Sequence, residues 1–284
     1  MPSPLDELPI RRLTIGDLTS CADLSENRGW PRDEHKWGLL LAAGTGYGID
    51  APGGEGLAAA CVVTAYGSGL ATIGMLLVAG EYAQQGAGQR MMRHVIDEFD
   101  GIPLTLHATP LGQPLYEKFG FRAVGRAEMV CGRFRPRSPE PDVATRRATA
   151  GDLHAMLRLD NEVFGEDRTH MITRLPAFAD QLRVAEDTAG ITGYAAAWPA
   201  TDSHVVGPLI ARDTATAQAL IASLAAGTDR PLRADIDVRH TELLGWVKDG
   251  GMKPVSINTV MTRQIPDLPG DWTRRFTPLT VAAG

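Results

Sequence analysis

Cysteine is scarce in this chain of 284 residues: Cys21, Cys61 and Cys131 are the three, far apart and without Cys-x-x-Cys spacing. That pattern leaves no basis for a disulfide framework or a thiolate metal site, so buried thiols in a reducing compartment and no metal are expected. Positive charge is in deficit as well. With 28 Lys and Arg against 34 Asp and Glu, the net charge is −6 and no long basic run occurs, which argues against a nucleic-acid partner, since phosphate backbones need a basic face. An acidic chain suits a cationic substrate better. Long apolar runs are missing too. None approaches membrane-spanning length, and the opening MPSPLDELPIRR places acidic residues and prolines where a secretion signal would be basic and then apolar. The expected setting is cytoplasmic, with no membrane partner.

What is present begins with a repeat. Arg11-Arg12-Leu13-Thr14-Ile15-Gly16-Asp17-Leu18 returns as Arg146-Arg147-Ala148-Thr149-Ala150-Gly151-Asp152-Leu153, six identities in eight. In each copy a strand-like segment runs into a Thr-x-x-Asp helix start. Further matches keep the same order: Pro103 to Thr109 with Pro231 to Asp237, and Lys118-Phe119-Gly120-Phe121 with Asp249-Gly250-Gly251-Met252. Between the copies, 135–142 holds three prolines in eight residues and reads as a stiff linker. The expectation is a mixed α/β fold present twice: a domain over 1–134, the linker 135–142, a second domain over 143–264 and a tail over 265–284. In the first copy, apolar runs over 57–64 and 70–78 joined by Tyr66-Gly67-Ser68-Gly69 predict an antiparallel hairpin. Met91, Met92, Val95, Ile96 and Phe99 recur at helical spacing after it, predicting a core-facing helix over 88–99.

The sharpest chemical signal lies between that hairpin and that helix, at Glu81-Tyr82-Ala83-Gln84-Gln85-Gly86-Ala87-Gly88. Two glycines let the backbone come close to a ligand, while the first N–H groups of the helix converge on one point, a combination that receives a pyrophosphate. The Gly-Lys-Ser/Thr of a P-loop is missing, and Met91 stands where a dinucleotide fingerprint needs its third glycine. Coenzyme A is the anionic cofactor left.

Here the chain resembles the GNAT superfamily of N-acetyltransferases. The family's glycine motif reads Ala83-Gln84-Gln85-Gly86-Ala87-Gly88 in this sequence, and a strand Leu106-His107-Ala108-Thr109 followed by Tyr116-Glu117-Lys118-Phe119-Gly120-Phe121 looks like its Tyr-x-x-x-Gly-Phe signature. Ala83 departs from the Gln or Arg usual at that point. Arg90 could compensate. The two-domain form also resembles a bacterial tandem subgroup. The resemblance implies acetyl-CoA as cofactor, with Leu76, Leu77 and Val78 pairing with the pantetheine as an added strand, and Gln84, Gln85, Gly86, Ala87, Gly88, Gln89, Arg90 and Thr109 around the rest of it. An N–H near Leu77 would polarise the thioester carbonyl. Tyr116 would protonate the departing thiolate, a role open to a phenol of pKa about 10 facing a thiol of about 8.5.

The acceptor side is less determined. Glu26, Trp30 and Glu34 lie where the family places its substrate-facing helices; Glu26, Glu34 and His35 are the candidate bases, Glu34 the one taken here, with relay through water equally open. In the second copy Asp160, Phe164, Asp167 and Trp198 combine carboxylates with aromatics and could receive an ammonium group in a cleft between domains. That copy carries no glycine after Gly207 in Gly207-Pro208-Leu209-Ile210-Ala211-Arg212-Asp213, and Val247 stands where Tyr116 did. One cofactor per chain is therefore expected. Three functions stay open: an N-acetyltransferase acting on a small primary amine, a sensor that binds acetyl-CoA without turnover, and a protein lysine or N-terminal acetyltransferase. A homodimer is left open as well.

Overall fold

The computed structural model describes residues 5, 7–136 and 142–284, so positions 137–141 of the expected linker lie outside the described residues. The first half runs β1 (Ile10–Leu13), α1 (Leu18–Asn27), α2 (Glu34–Ala43), β2 (Thr45–Asp50), β3 (Leu57–Tyr66), β4 (Leu70–Val78), α3 (Ala87–Glu98), β5 (Leu104–Ala108), α4 (Gln113–Lys118) and β6 (Arg122–Gly132). The second runs β7 (Ala144–Arg147), α5 (Leu153–Phe164), α6 (Thr169–Ile172), α7 (Leu175–Phe178), β8 (Gln181–Asp187), β9 (Gly190–Pro199), β10 (His204–Ala211), α8 (Thr214–Ala226), β11 (Leu232–Asp237), α9 (Thr241–Asp249), β12 (Lys253–Arg263) and β13 (Arg275–Thr277). The expected hairpin and helix fall where the periodicity placed them, at β3, β4 and α3.

The repeat is visible as chemistry. Thr14 and Asp17 close a capping box at the start of one half, Thr149 and Asp152 at the start of the other. Arg11 bridges Asp17 and Asp50, both at 2.8 Å, and Arg146 bridges Asp152 at 2.7 Å and Glu186 at 2.8 Å. The turn after α4 is also shared: Phe121 N–H donates to Tyr116 O at 3.2 Å, and Met252 N–H to Val247 O at 3.0 Å.

The halves do not keep separate sheets. The order is β1-β2-β3-β4-β5-β12-β6-β11-β10-β9-β8-β7, with β13 set against β10. Strand β12, the last long strand of the second half, therefore lies between β5 and β6 of the first. In return β6 runs beside β11 of the second half, from Leu232↔Gly132 to Asp237↔Ala127. The boundary at 135–142 divides the chain without dividing the sheet. Cut there, β5 and β11 would each lose a neighbour and expose a row of unpaired backbone groups.

One face of the sheet is covered separately in each half, by α3 in the first (Met91, Met92 and Val95 on Ala71, Ile73, Leu104 and Leu106) and by α8 and α9 in the second. On the opposite face a single core joins both: Leu24, Trp37 and Leu40 of α1 and α2 pack in one cluster with Leu159, Val163, Met171 and Phe178. The segment 265–284 enters both cores, Leu279 and Ala283 packing in this one and Phe276 in the core under α8 and α9, each at most 1% exposed. Tyr66 donates to Ala283 O, and Trp198 Nε1 to Leu279 O at 3.2 Å. Gly74 and Gly207 are the residues that let it in. A Cβ on Gly74 would stand 2.2 Å from Ala282 O, and one on Gly207 2.3 Å from Pro278 O.

Gly74→Ala therefore forces backbone apart at the tail. Urea denaturation of this variant is expected to show a loss of about 1–3 kcal/mol relative to the parent, the usual cost of overpacking; an unchanged midpoint would mean the tail is not held there.

Candidate active site

Parallel strands normally stay paired; β4 and β5 do so for three residues, from Ala71↔Leu104 to Ile73↔Leu106, and then part. Two features drive the separation. Met75 takes a left-handed φ of 52°, and the pairing of β4 with β3 slips between Ala60 and Val62, a bulge that bends β4 away. Leu77 and Val78 remain paired to β3, at Ala60 and Ala59, so the side of β4 facing β5 is left without a strand over the segment expected to pair with an extended ligand.

The fork leads into the glycine turn. Gln84 (φ 62°) and Gly86 (φ 88°) are both left-handed, and Gly86 is the cap residue of α3 with no side chain to cap it. The first helical hydrogen bond is Arg90 N–H to Gly86 O at 3.0 Å, so the amides ahead of it project free of helical partners toward the turn. The loop is braced from outside: Asn27 Oδ1 accepts from Gly80 N–H at 2.7 Å, and Gln85 Nε2 donates to Glu81 O at 2.9 Å. The cradle is thus made of main chain, while the Gln85 side chain supports it. Arg90 is turned elsewhere, donating to Leu5 O and Leu8 O, and so does not replace the contact missing at Ala83.

Helix α4 closes the fork. A Cβ on Gly88 would lie 3.4 Å from Leu115 and 3.7 Å from Val78, ordinary contact distances, so α4 lies directly against the start of α3. Thr109 holds the beginning of α4, its Oγ1 accepting from Gly112 N–H at 3.2 Å. Tyr116 is 9% exposed, packs edge-on to Phe121, and has its phenol raised above the ordinary value by burial, with Cys61 nearby. It stays protonated near neutrality.

The second half has the same fork with a different content. Strands β10 and β11 also pair for three residues, His204↔Leu232 to Val206↔Ala234. Beyond them β13 enters, at Leu209↔Thr277 and Ile210↔Arg275, the positions equivalent to Leu76 and Leu77. Where α3 leaves its cap open, α8 is capped by Asp213, whose carboxylate accepts from Thr216 N–H at 2.8 Å. A strand and a carboxylate of the chain itself fill the places a pantetheine and a phosphate would take.

The residues expected on the acceptor side are not brought together. Glu26 and Glu34 are exposed and bound to Arg32, at 3.0 and 2.8 Å; Trp30 is 38% exposed beside them. Glu34 is thus an ion-paired surface carboxylate rather than a base facing a reacting amine. Asp160 is 2% exposed and already holds a cation, Arg168, at 2.7 and 2.9 Å, together with the Tyr194 hydroxyl. Asp167 accepts from Thr169 N–H at 2.8 Å just ahead of α6, and Trp198 is buried against the tail. Of this set, Phe164 alone lines the cavity between the halves, which Thr72, His107, Asp235 and Arg275 also line. Sequence reasoning missed those four. One signal could have found two of them: in the repeat, His107 and Asp235 occupy the same place in matching strands.

Comparison with known proteins agrees with this architecture. Two family models, each described as an acetyltransferase (GNAT) domain, match residues 59–132 and 156–277. The uncharacterised N-acetyltransferase YitH of Bacillus subtilis (strain 168) is 31% identical over 231 residues, which span 78% of this chain and 81% of that protein. Among solved structures, a provisionally assigned acetyltransferase from Pyrococcus horikoshii is similar with a TM-score of 0.83 and 18% identity, covering 98% of this chain and 96% of the other. A tandem GNAT protein from the clavulanic acid biosynthesis pathway has a TM-score of 0.65 and 13% identity, over 90% of this chain and 98% of its own.

The Asp160 and Arg168 pair predicts a structural phenotype. Asp160→Ala strands a buried guanidinium and is expected to cost about 3–5 kcal/mol of unfolding free energy, read from chemical denaturation; an unaltered stability with a weakened acceptor interaction would restore Asp160 to the binding site.

Proposed function

Since the chain belongs to the GNAT superfamily and is a tandem N-acetyltransferase, we propose that its first half binds acetyl-CoA and transfers the acetyl group directly to the primary amine of a small molecule. The observation that carries this reading is the fork between β4 and β5, open beside Leu76, Leu77 and Val78 and ending at the uncapped glycine turn of α3. The main chain of that strand suits the pantetheine amides, and Gly86, Ala87 and Gly88 offer their N–H groups to the pyrophosphate with no side chain in the way at the two glycines.

In this reading the amine nitrogen attacks the thioester carbonyl, an N–H at Leu77 stabilises the oxyanion, and the C–S bond breaks as Tyr116 gives its proton to the leaving thiolate. The products are an amide and free CoA, and Tyr116 regains its proton from the amine through solvent. Burial keeps the Tyr116 phenol protonated, so the proton is present, while the same burial makes it a weaker acid toward the thiolate. A cavity walled by the second half favours a small acceptor over a protein chain, and the chain's excess of Asp and Glu favours a cationic group on it.

Two outcomes test the reading. Tyr116→Phe should lower kcat for amine-dependent CoA release by about 100-fold with little change in KM for acetyl-CoA; full activity in the variant removes Tyr116 from the mechanism. Calorimetric titration with CoA should saturate at one equivalent per chain, because β13 fills the second fork. Two equivalents would mean that β13 gives way, and no uptake at all would refute the cofactor assignment.

A further inference from the structure

The cavity between the halves opens beside the fork, on the face of the sheet opposite α3. Thr72, one residue before β4 and β5 begin to part, and His107 on β5 face Asp235 of β11 and Arg275 and Thr277 of β13 across a cavity that gives the centres of water-sized molecules ≈50 Å³ of room. Alternation along the strands sets this: Ala71, Ile73, Leu104 and Leu106 point to the α3 core, so Thr72 and His107 point the other way. Four side-chain atoms buried here have no hydrogen-bond partner: Thr72 Oγ1, His107 Nδ1, Asp235 Oδ1 and Thr277 Oγ1. Buried polar groups are ordinarily satisfied, and four unsatisfied ones converging on one cavity mark a place built for a polar ligand.

The charges in the cavity are unmatched in a definite way. Asp237 is saturated by Arg239, at 2.5 and 3.0 Å. Asp235 spends one oxygen on Arg233 at 3.2 Å and keeps Oδ1 free. Arg275 has no carboxylate at ion-pair distance among the described residues; Nη1 donates to Pro269 O at 3.3 Å, and the guanidinium lies 5.3 Å from the Phe164 ring. Burial, with repulsion from Arg168 and Arg239, pushes Arg275 down to about 10, which leaves it charged near neutrality. Burial pushes the His107 imidazole down to about 4, so it is neutral there and able to accept a hydrogen bond. A cation without a counter-ion and a carboxylate with a free oxygen, on one cavity, complement a ligand carrying both signs.

We propose that this cavity is the acceptor pocket and that the acceptor is a small amino acid-type zwitterion, its ammonium on Asp235 Oδ1 and His107 Nδ1 and its carboxylate on Arg275. The assignment rests on the N-acetyltransferase reading of the neighbouring fork. It makes the second half, which has lost its own cofactor slot, the supplier of both charged contacts.

The test uses pairs that differ only in the carboxyl group: alanine and ethylamine, 4-aminobutanoate and propylamine, lysine and cadaverine, histidine and histamine. Each is titrated into the CoA-saturated full chain, and CoA release from acetyl-CoA is followed in parallel. In at least one pair the acid should bind about 30-fold tighter than its amine. Arg275→Met should erase that preference and Arg275→Lys should keep part of it, in variants that melt near the wild type and still bind CoA. Asp235→Asn, which preserves shape, should weaken both members of the pair. Equal binding within every pair, a preference untouched by Arg275→Met, or no binding by any of the acids overturns the proposal. CoA release keeps the two readings apart: acids that bind through Arg275 without release count against acetyl transfer to them, whereas efficient release with amines that lack a carboxylate counts against the pocket alone.

Discussion

Strand β12 between β5 and β6 is the contact on which the rest of the molecule depends. A strand buried in the middle of a sheet must find partners for its amides and carbonyls on both sides, and in this chain β5 and β11 find theirs only by exchanging final strands between the halves. The exchange locks the two halves into one sheet and brings their unshared faces together, so that α1 and α2 pack with α5, α6 and α7 in one core. The cavity between the halves follows from this registration. Its walls are the matching strands β5 and β11, held apart by the exchanged pair.

Duplication gave the chain two forks, and the physical difference between them lies in what completes each. Past Ile73 the first is left open, with a helix start that no side chain caps. Past Val206 the second is closed by β13 and by Asp213. An open fork leaves main-chain groups in need of hydrogen bonds, which is a cost to folding that a ligand can relieve. A closed one is a finished structural wall. The second half can then specialise in shaping the cavity, because its own backbone demands are met internally.

Buried polar groups divide along the same line. Asp160, Arg168 and Tyr194 satisfy one another at full burial, with Arg168 reaching on to Gly284 O at 2.9 Å. They tie α5 and β9 to the tail. Across the cavity Thr72, His107, Asp235 and Thr277 are left with atoms unpaired. Satisfied networks specify a fold, and unsatisfied ones at a concave surface invite a partner.

The repeat, the hairpin at β3 and β4, the core face of α3 and the glycine turn were legible in the sequence, because each depends on residues close together in the chain: a 3.6-residue period, a Thr-x-x-Asp cap, two glycines before a helix. The repeated turn that carries Tyr116 in one half and Val247 in the other was legible for the same reason. The acceptor side was not. Glu34, Asp160, Asp167 and Trp198 have the right chemistry, but whether a carboxylate is free depends on what folding brings to it: Arg32 and Arg168 take Glu34 and Asp160 into ion pairs, Asp167 accepts from Thr169 N–H, and Trp198 is buried against the tail. Nor could composition reveal that 265–284 would enter the sheet and fill the second fork, since that depends on room left by Gly74 and Gly207, far away in sequence. Local spacing determined the elements and the glycine turn; strand exchange between distant segments decided which side chains share a cavity, because that is settled by backbone pairing and the sequence of neither partner alone contains it.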